Sequence, residues 1–275
     1  MELQKLMESV SDKSANTIKA YTVQYNKLRK ALDKDISDAS QKKIIAISTN
    51  EPNVNAMQAL LNIGILVRKF NDLDTKELTR KREENRHLLS KHIKEKNKQL
   101  ADTLPSLQDL EDYTEQLYKN GKWKDYIINY LLINYQTRNA DLHFDLVNRK
   151  MDANDPNKNY IWLRNKTATY IRNVYKTSGA YGQKVHKITD PKFVFAIRRV
   201  MGLQRSGLGE GTFIPTESQV GYYVMRSTYK ELGEGKYVKI VIDAHRDNLQ
   251  KLREISENRG TSIDELLFSY DIKHV

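Results

Sequence analysis

Residues 125–142 read DYIINYLLINYQTRNADL. An apolar run, Ile127, Ile128, Tyr130, Leu131, Leu132 and Ile133, fits a buried helix, and Ala140 and Leu142 resume the pattern after a polar tip, Gln136-Thr137-Arg138-Asn139. A helix that buries one face and ends in an arginine can hold a cation at a fixed point on a rigid scaffold. The plainer reading is a core helix followed by a surface arginine. What the rest of the chain offers decides between them.

The chain has 275 residues, enough for one large or two modest domains with their own cores. Its formal net charge of +11 points to a polyanionic partner, foremost nucleic acid. The sequence has no cysteine, which excludes disulfides and thiolate metal sites. The six histidines show no metal-ligand spacing; His87 and His92, five apart, fall on different faces of a helix. No metal or other cofactor is expected. There is no run of 18 apolar residues and no signal peptide, so the expectation is a soluble, intracellular protein without membrane partners. With 5 Pro, 12 Gly and long amphipathic stretches, the chain is expected to be mostly helical.

The first third reads as four helices. Ser14 is the expected N-cap of the first, in which Ile18, Tyr21, Tyr25, Leu28 and Leu32 recur at three- and four-residue steps. A second runs over about 39–47, then a turn at Asn50-Glu-Pro-Asn53, then a third helix over 54–70 with a wide apolar face. The fourth, over about 75–97, is very polar. It is either a solvated helix laced with charge pairs or a DNA-facing one that sets Lys81, Arg82, Arg86, Lys91 and Lys94 against phosphates. Residues 97–105 read as a linker, giving a helical domain over 1–98 and a second domain over 104–275.

The stretch Ser14-Ala-Asn-Thr-Ile-Lys-Ala-Tyr21, followed by Lys27-Leu-Arg-Lys-Ala-Leu32, resembles the first helix of the core-binding domain of tyrosine recombinases, the phage-integrase family. In that family a small helical bundle closes over one side of a DNA duplex, and a catalytic domain follows.

In the second domain Ser106 and Asp109 are spaced as an N-cap and its partner, opening a helix that breaks at Gly121. The segments at 160–164, 168–175 and 184–188 read as strands, with 146–159 as a polar loop before them. Helices are expected from about Lys192 to Met201, from Pro215 to Tyr229, from Leu249 to Ser256, and over Ile263–Ser269. The Gly-rich stretch 202–213 lacks the Lys-Ser/Thr of a phosphate-binding loop.

Four motifs fall in the order of the family's active site. Gln136-Thr-Arg138-Asn-Ala-Asp141-Leu142 is similar to the motif carrying its first arginine. The resemblance implies that Arg138 holds a non-bridging oxygen of the scissile phosphate and that Asp141 supports it. A planar, permanently charged fork suits that task. Lys176, followed by Thr177 and Gly179 in the last β-turn, matches the hairpin lysine that protonates the leaving 5′ oxygen or enters the minor groove; Lys166 competes for the role. Met225-Arg226-Ser227-Thr228 is similar to the segment bearing the second arginine, Arg226, with Tyr223 where the family has histidine. Asp243-Ala-His-Arg246 is a rival alignment. Gly260-Thr261-Ser262 stands where the family has Gly-His-Ser, and Tyr270 lies nine residues past Thr261, at the spacing of the nucleophile.

The resemblance thus implies a mainly α fold with a small antiparallel β-sheet. It is an N-terminal core-binding domain plus an α+β integrase-like catalytic domain, of the divergent kind seen in viruses and mobile elements. It implies a site-specific recombinase that needs no cofactor. Its partner is double-stranded DNA, on which it self-associates, and it has no small-molecule substrate; a viral member would act in the host nucleus or cytoplasm, or travel in the virion. Arg138, Lys176, Arg226 and Tyr270 are then expected to converge, with Tyr223 and Thr261 lining the site. The alternative is a relative that kept the fold as a DNA-binding or virion structural protein after losing both histidines, since neither Tyr nor Thr titrates near neutral pH. A type IB topoisomerase shares the chemistry and is the third reading.

Overall fold

The structure is a computed structural model that describes residues 2–13, 15–203 and 211–272. Ser14, the expected cap, and residues 204–210 of the Gly-rich stretch lie outside the described residues. The chain divides into two compact units, residues 1–96 and 97–275.

The first unit is helical. It holds α1 (Glu2–Ser9), α2 (Ala15–Leu32), α3 (Gln41–Thr49), α4 (Val54–Phe70) and most of α5 (Lys76–Ala101). The apolar spacing of α2 buries Tyr25, Leu28 and Leu32 against Leu60, Leu61 and Ile63 of α4 and Ile44 of α3. Ser40 caps α3 through the Lys43 N–H, and Asn53 caps α4 through the N–H groups of Asn55 and Ala56. α5 is anchored by buried Leu78 and by Asn85, whose Nδ2 donates to Val54 O at 3.1 Å and to Gln58 Oε1 at 2.7 Å. This helix continues through Ala101, so residues 97–101, expected as linker, are helical.

The second unit wraps α7 (Trp123–Tyr135), which is buried on most sides. α6 (Leu107–Lys119) precedes it and starts with the capping box of Ser106 and Asp109. α7 packs Ile127, Ile128, Leu131 and Leu132 against α9 (Pro191–Leu203), α10 (Glu217–Ser227) and α11 (Gly233–Ala244). Asn129, a polar residue within the helix, is sealed in this core. Its Nδ2 donates to Ser227 O at 2.7 Å, and its Oδ1 accepts from the Tyr237 hydroxyl. α12 (Leu249–Arg259) and α13 (Ile263–Tyr270) close the unit through Leu252, Ile255 and Leu266.

The sheet has four strands in the order β1 (Phe144–Val147), β2 (Asn159–Leu163), β3 (Ala168–Arg172) and β4 (Lys184–Ile188). β2, β3 and β4 form the expected antiparallel set, and β1 adds a strand parallel to β2, making the sheet mixed. The fold is therefore mainly helical with a small sheet.

Candidate active site

α7 ends where its apolar run ends. Gln136 takes a left-handed conformation, φ 44°, which a non-glycine residue adopts only at a cost of about 1–3 kcal/mol. The turn points the Gln136 carbonyl out of the helix, where it accepts from Arg259 Nη1 at 3.0 Å. Arg138 follows at the start of a one-turn 3₁₀ helix over Asn139–Leu142, its backbone N–H bonded to Asp141 Oδ2 at 3.2 Å.

Asp141 is fully buried and paired with the equally buried Arg172 of β3 at 3.0 Å. Arg172 also donates to Asn258 O at 2.7 Å and to His186 Nε2 at 3.1 Å. Burial pushes the Asp141 carboxyl above its usual range, against the pull of Arg172 and of the Arg138 N–H. Burial, then the charge of Arg172, lowers His186 to about 4, which keeps the ring neutral and leaves Nε2 free to accept. Beneath Arg138 there is thus a sealed ionic layer joining the 3₁₀ turn, the sheet and α12.

The C-terminus of α12 supplies the facing wall. Its last carbonyls carry the negative end of the helix dipole and are met by cations: Glu257 O by Lys184 Nζ, Asn258 O by Arg172. Gly260 ends the helix in the left-handed region, φ 60°. A Cβ there would stand 2.5 Å from Thr177 Oγ1 and 3.0 Å from the Tyr175 ring, so only glycine lets the β3–β4 hairpin come this close.

Just before that turn, Arg259 is 3% exposed and reaches three groups. Nη1 bonds Gln136 O, while Nη2 bonds Glu234 Oε1 at 2.9 Å and the Tyr270 hydroxyl at 2.8 Å. Its Cζ lies 4.9 Å from the Tyr270 ring centroid. Arg138 belongs to the same cluster: burial and then the like charge of Arg259 push its guanidinium below the ordinary value, with Asp141, Tyr270 and Glu234 acting in the other direction. Its Nη1 is buried and has no hydrogen-bond partner among the described residues. Lys184, at the start of β4, is brought down to about 8 by burial and then by Arg172 and Arg138.

The structure therefore brings Arg138, Asp141 and Tyr270 into one cluster. Lys176 is exposed beside the hairpin tip, which carries the short α8 (Ser178–Tyr181), and Lys166 is exposed in the β2–β3 turn. Arg226 is exposed on α10, bonded to the Tyr222 hydroxyl at 2.7 Å; the other charges acting on it are Glu231 and Asp125, none of them in the cluster. Among the described residues, Lys176 and Arg226 enter none of the cluster's hydrogen bonds, and α10 turns its Arg226 face to solvent. Tyr223 lies under the Lys124 ammonium, 4.5 Å from its ring centroid. Thr261 forms the junction of α12 and α13, its N–H bonded to Ser256 O at 3.1 Å. Arg246, the rival second arginine, grips Asp271 with two bonds of 2.6 and 2.8 Å, fixing the residue after Tyr270.

Four members of the cluster, Arg259, Lys184, Glu234 and Arg172, were not singled out from the sequence. A signal existed for Arg172. Strand alternation puts it on the buried face with Ala168 and Tyr170, and a buried arginine needs a partner. The elements of α5 that were read as DNA-facing divide in two. Lys81, Arg82 and Arg86 pair with Glu83 and Glu84, whereas Lys91 and Lys94 are exposed and enter no ion pair among the described residues.

Compared with protein-family models and with curated proteins, the sequence matches none. Among solved structures, a crystal structure of XerA recombinase is similar over 100% of this chain and 93% of its own, with a TM-score of 0.40 and 13% identity. A likeness of that size carries no residue-level inference. No helix among the described residues is long and apolar enough to cross a membrane.

Proposed function

We propose that the second unit cleaves and rejoins DNA strands through Tyr270, in the manner of a tyrosine recombinase. One observation carries the reading: the Tyr270 hydroxyl is bonded to the Arg259 guanidinium within a cluster that also holds Arg138. A phenol beside two arginines, one with a free donor, suits attack on a phosphodiester. In this reading Tyr270 Oη forms a bond to phosphorus with loss of its proton, and the bond to the 5′ oxygen breaks. The products are a 3′-phosphotyrosine and a 5′ hydroxyl, and attack by a hydroxyl from a partner strand reverses the step.

Arg138 and Arg259 hold the non-bridging oxygens, whose negative charge grows as the phosphorus becomes five-coordinate. Lys184 is the acid for the leaving oxygen. It sits at the base of the hairpin, its charge is coupled to Arg138, and its lowered pKa makes proton release easier than from a solvated lysine. Lys176 remains a candidate for contacting the duplex from the hairpin tip. Arg226 is a candidate for a flanking phosphate on the exposed face of α10. In the first unit, Lys91 and Lys94 are the freest candidates for backbone contacts. Strand exchange needs two duplexes, so self-association on DNA belongs to the same proposal.

The test is trapping on a nicked duplex whose 5′ fragment diffuses away after cleavage. A covalent protein–DNA adduct is expected, lost in Tyr270→Phe with duplex binding retained. Binding without an adduct on any duplex overturns strand cleavage and leaves the reading of a DNA-binding relative.

A further inference from the structure

Glu234, in the first turn of α11, is the one acidic side chain of the cluster to which the chemistry above gives no part. Its Oε1 accepts from Arg259 Nη2 at 2.9 Å. Its Oε2 accepts from the backbone N–H of Asn139, the residue after Arg138, at 3.2 Å. The carboxylate thus spans from one arginine to the segment carrying the other, and its charge acts on Arg138. The nitrogen it holds on Arg259 is the one that also bonds Tyr270. A phosphodiester seated beside the phenol would need those same donors for its two free oxygens.

We infer that Glu234 is a tethered counter-ion that fills the anion position at rest and selects which anions displace it. Its tether gives it a high effective concentration at the arginines, so a small free anion competes poorly. A duplex, held by several phosphate contacts elsewhere, brings its own high effective concentration and can take the donors over. The carboxylate also serves the resting fold, since Arg259 is almost wholly buried and would otherwise be short of a counter-charge. The inference rests on the phosphodiester reading of the Tyr270 site and deepens it by naming the residue that favours polymeric over small anions.

Titration calorimetry with inorganic phosphate on the full chain tests it. Glu234→Gln keeps an oxygen for the Asn139 N–H and removes the charge. This variant is expected to bind phosphate about tenfold more tightly than the unaltered chain, a typical size for coupling between adjoining sites. The gain is expected to vanish when Arg138→Ala is added. A folded Glu234→Gln protein with unchanged or weaker phosphate affinity overturns the inference, leaving Glu234 as a strut for Arg259. Should that variant lack a cooperative melt, Glu234→Asp keeps the charge on a shorter reach and is expected to tighten phosphate binding by a smaller factor; no change there overturns it equally. The phosphate readout does not depend on strand cleavage. Tightened binding with no adduct would reject the nucleophile assignment and retain Glu234, and an adduct with no tightening would do the reverse.

Discussion

Arg172→Met isolates the ionic layer under the site. The methionine keeps much of the side-chain bulk but removes the bonds to Asp141, Asn258 O and His186. Asp141 and Arg172 are both 0% exposed, so the variant leaves a carboxylate buried without its main counter-charge. Breaking a buried pair on one side costs about 3–5 kcal/mol. With a urea slope of about 2 kcal/mol/M, the unfolding midpoint should fall by about 2 M. The deficit has a pH signature. Without Arg172 the folded-state pKa of Asp141 rises further above its unfolded value. Its penalty is then fully present well above that raised value and shrinks as pH falls through it, so variant and unaltered chain should converge toward acid. Adding Asp141→Leu removes the stranded charge and should recover most of the loss. Equilibrium urea unfolding followed by circular dichroism at several pH values reads all of this. A single variant costing less than about 1 kcal/mol, or a double variant no better than the single, would refute the view that this layer is a coupled charge pair.

Arg259→Ala should slow adduct formation on the nicked duplex by about 10²–10³-fold, the scale of losing one donor to a developing oxyanion. Arg226→Ala should change it by far less, and the opposite ranking would restore Arg226 as the second phosphate arginine. With Lys184 at about 8, the rate of trapping should decline as pH rises through that value, because the protonated form is the acid. Lys184→Ala should be slower throughout and lose this decline, while Lys184→Arg should carry its charge past it; a Lys184→Ala profile with the same decline excludes the residue. Lys91→Glu with Lys94→Glu should reduce the slope of log duplex affinity against log salt by about two. An unchanged slope would remove α5 from the DNA-contacting surface.

The sequence discloses elements where local chemistry alone decides them. The capping box at Ser106, the apolar face of α4 and the polar break after Tyr135 all have short-range causes, and the structure has them where they were expected. β1 was missed because four residues, Phe144–Val147, pair in parallel with a strand a dozen residues on, a non-local choice with no turn signal to announce it. α11 was missed because Gly233 and Gly235 argue against a helix start; tertiary burial of Tyr237, Val238, Val241 and Ile242 overrides that propensity. Within the cluster, Arg138 stands out in the sequence because it follows the end of a strongly apolar helix, and Tyr270 because it closes the last short one. Arg259 stood in plain view beside Gly260 but read as an ordinary basic residue in a last helical turn. Its value comes from the left-handed turns at Gln136 and Gly260, which aim a carbonyl and a hairpin at it, and such backbone geometry leaves little trace in residue type.

On the proposed reading, the charge balance of the cluster suits a phosphoryl group. Asp141 is paired inside with Arg172, so the surface layer sets Arg138, Arg259 and Lys184 against Glu234, with Glu257 also acting on Lys184. The cations outnumber the carboxylates, which leaves a net positive charge in a partly buried place, where Coulomb terms are several-fold stronger than in water. A phosphodiester brings one negative charge, and attack by a phenolate raises it toward two before the leaving oxygen takes its proton. On the proposed reading, this positive excess strengthens its hold as negative charge grows toward the transition state, the condition for raising the rate rather than only the affinity. The His186 ring, held neutral at about 4, adds nothing to this sum at neutral pH. The histidines that a tyrosine recombinase would place at Tyr223 and Thr261, on the proposed reading, supply protons and hydrogen bonds more than fixed charge. On the proposed reading, Arg259, Lys184 and the Asn139 amide donate in their stead, so the electrostatics of the site do not depend on those two rings.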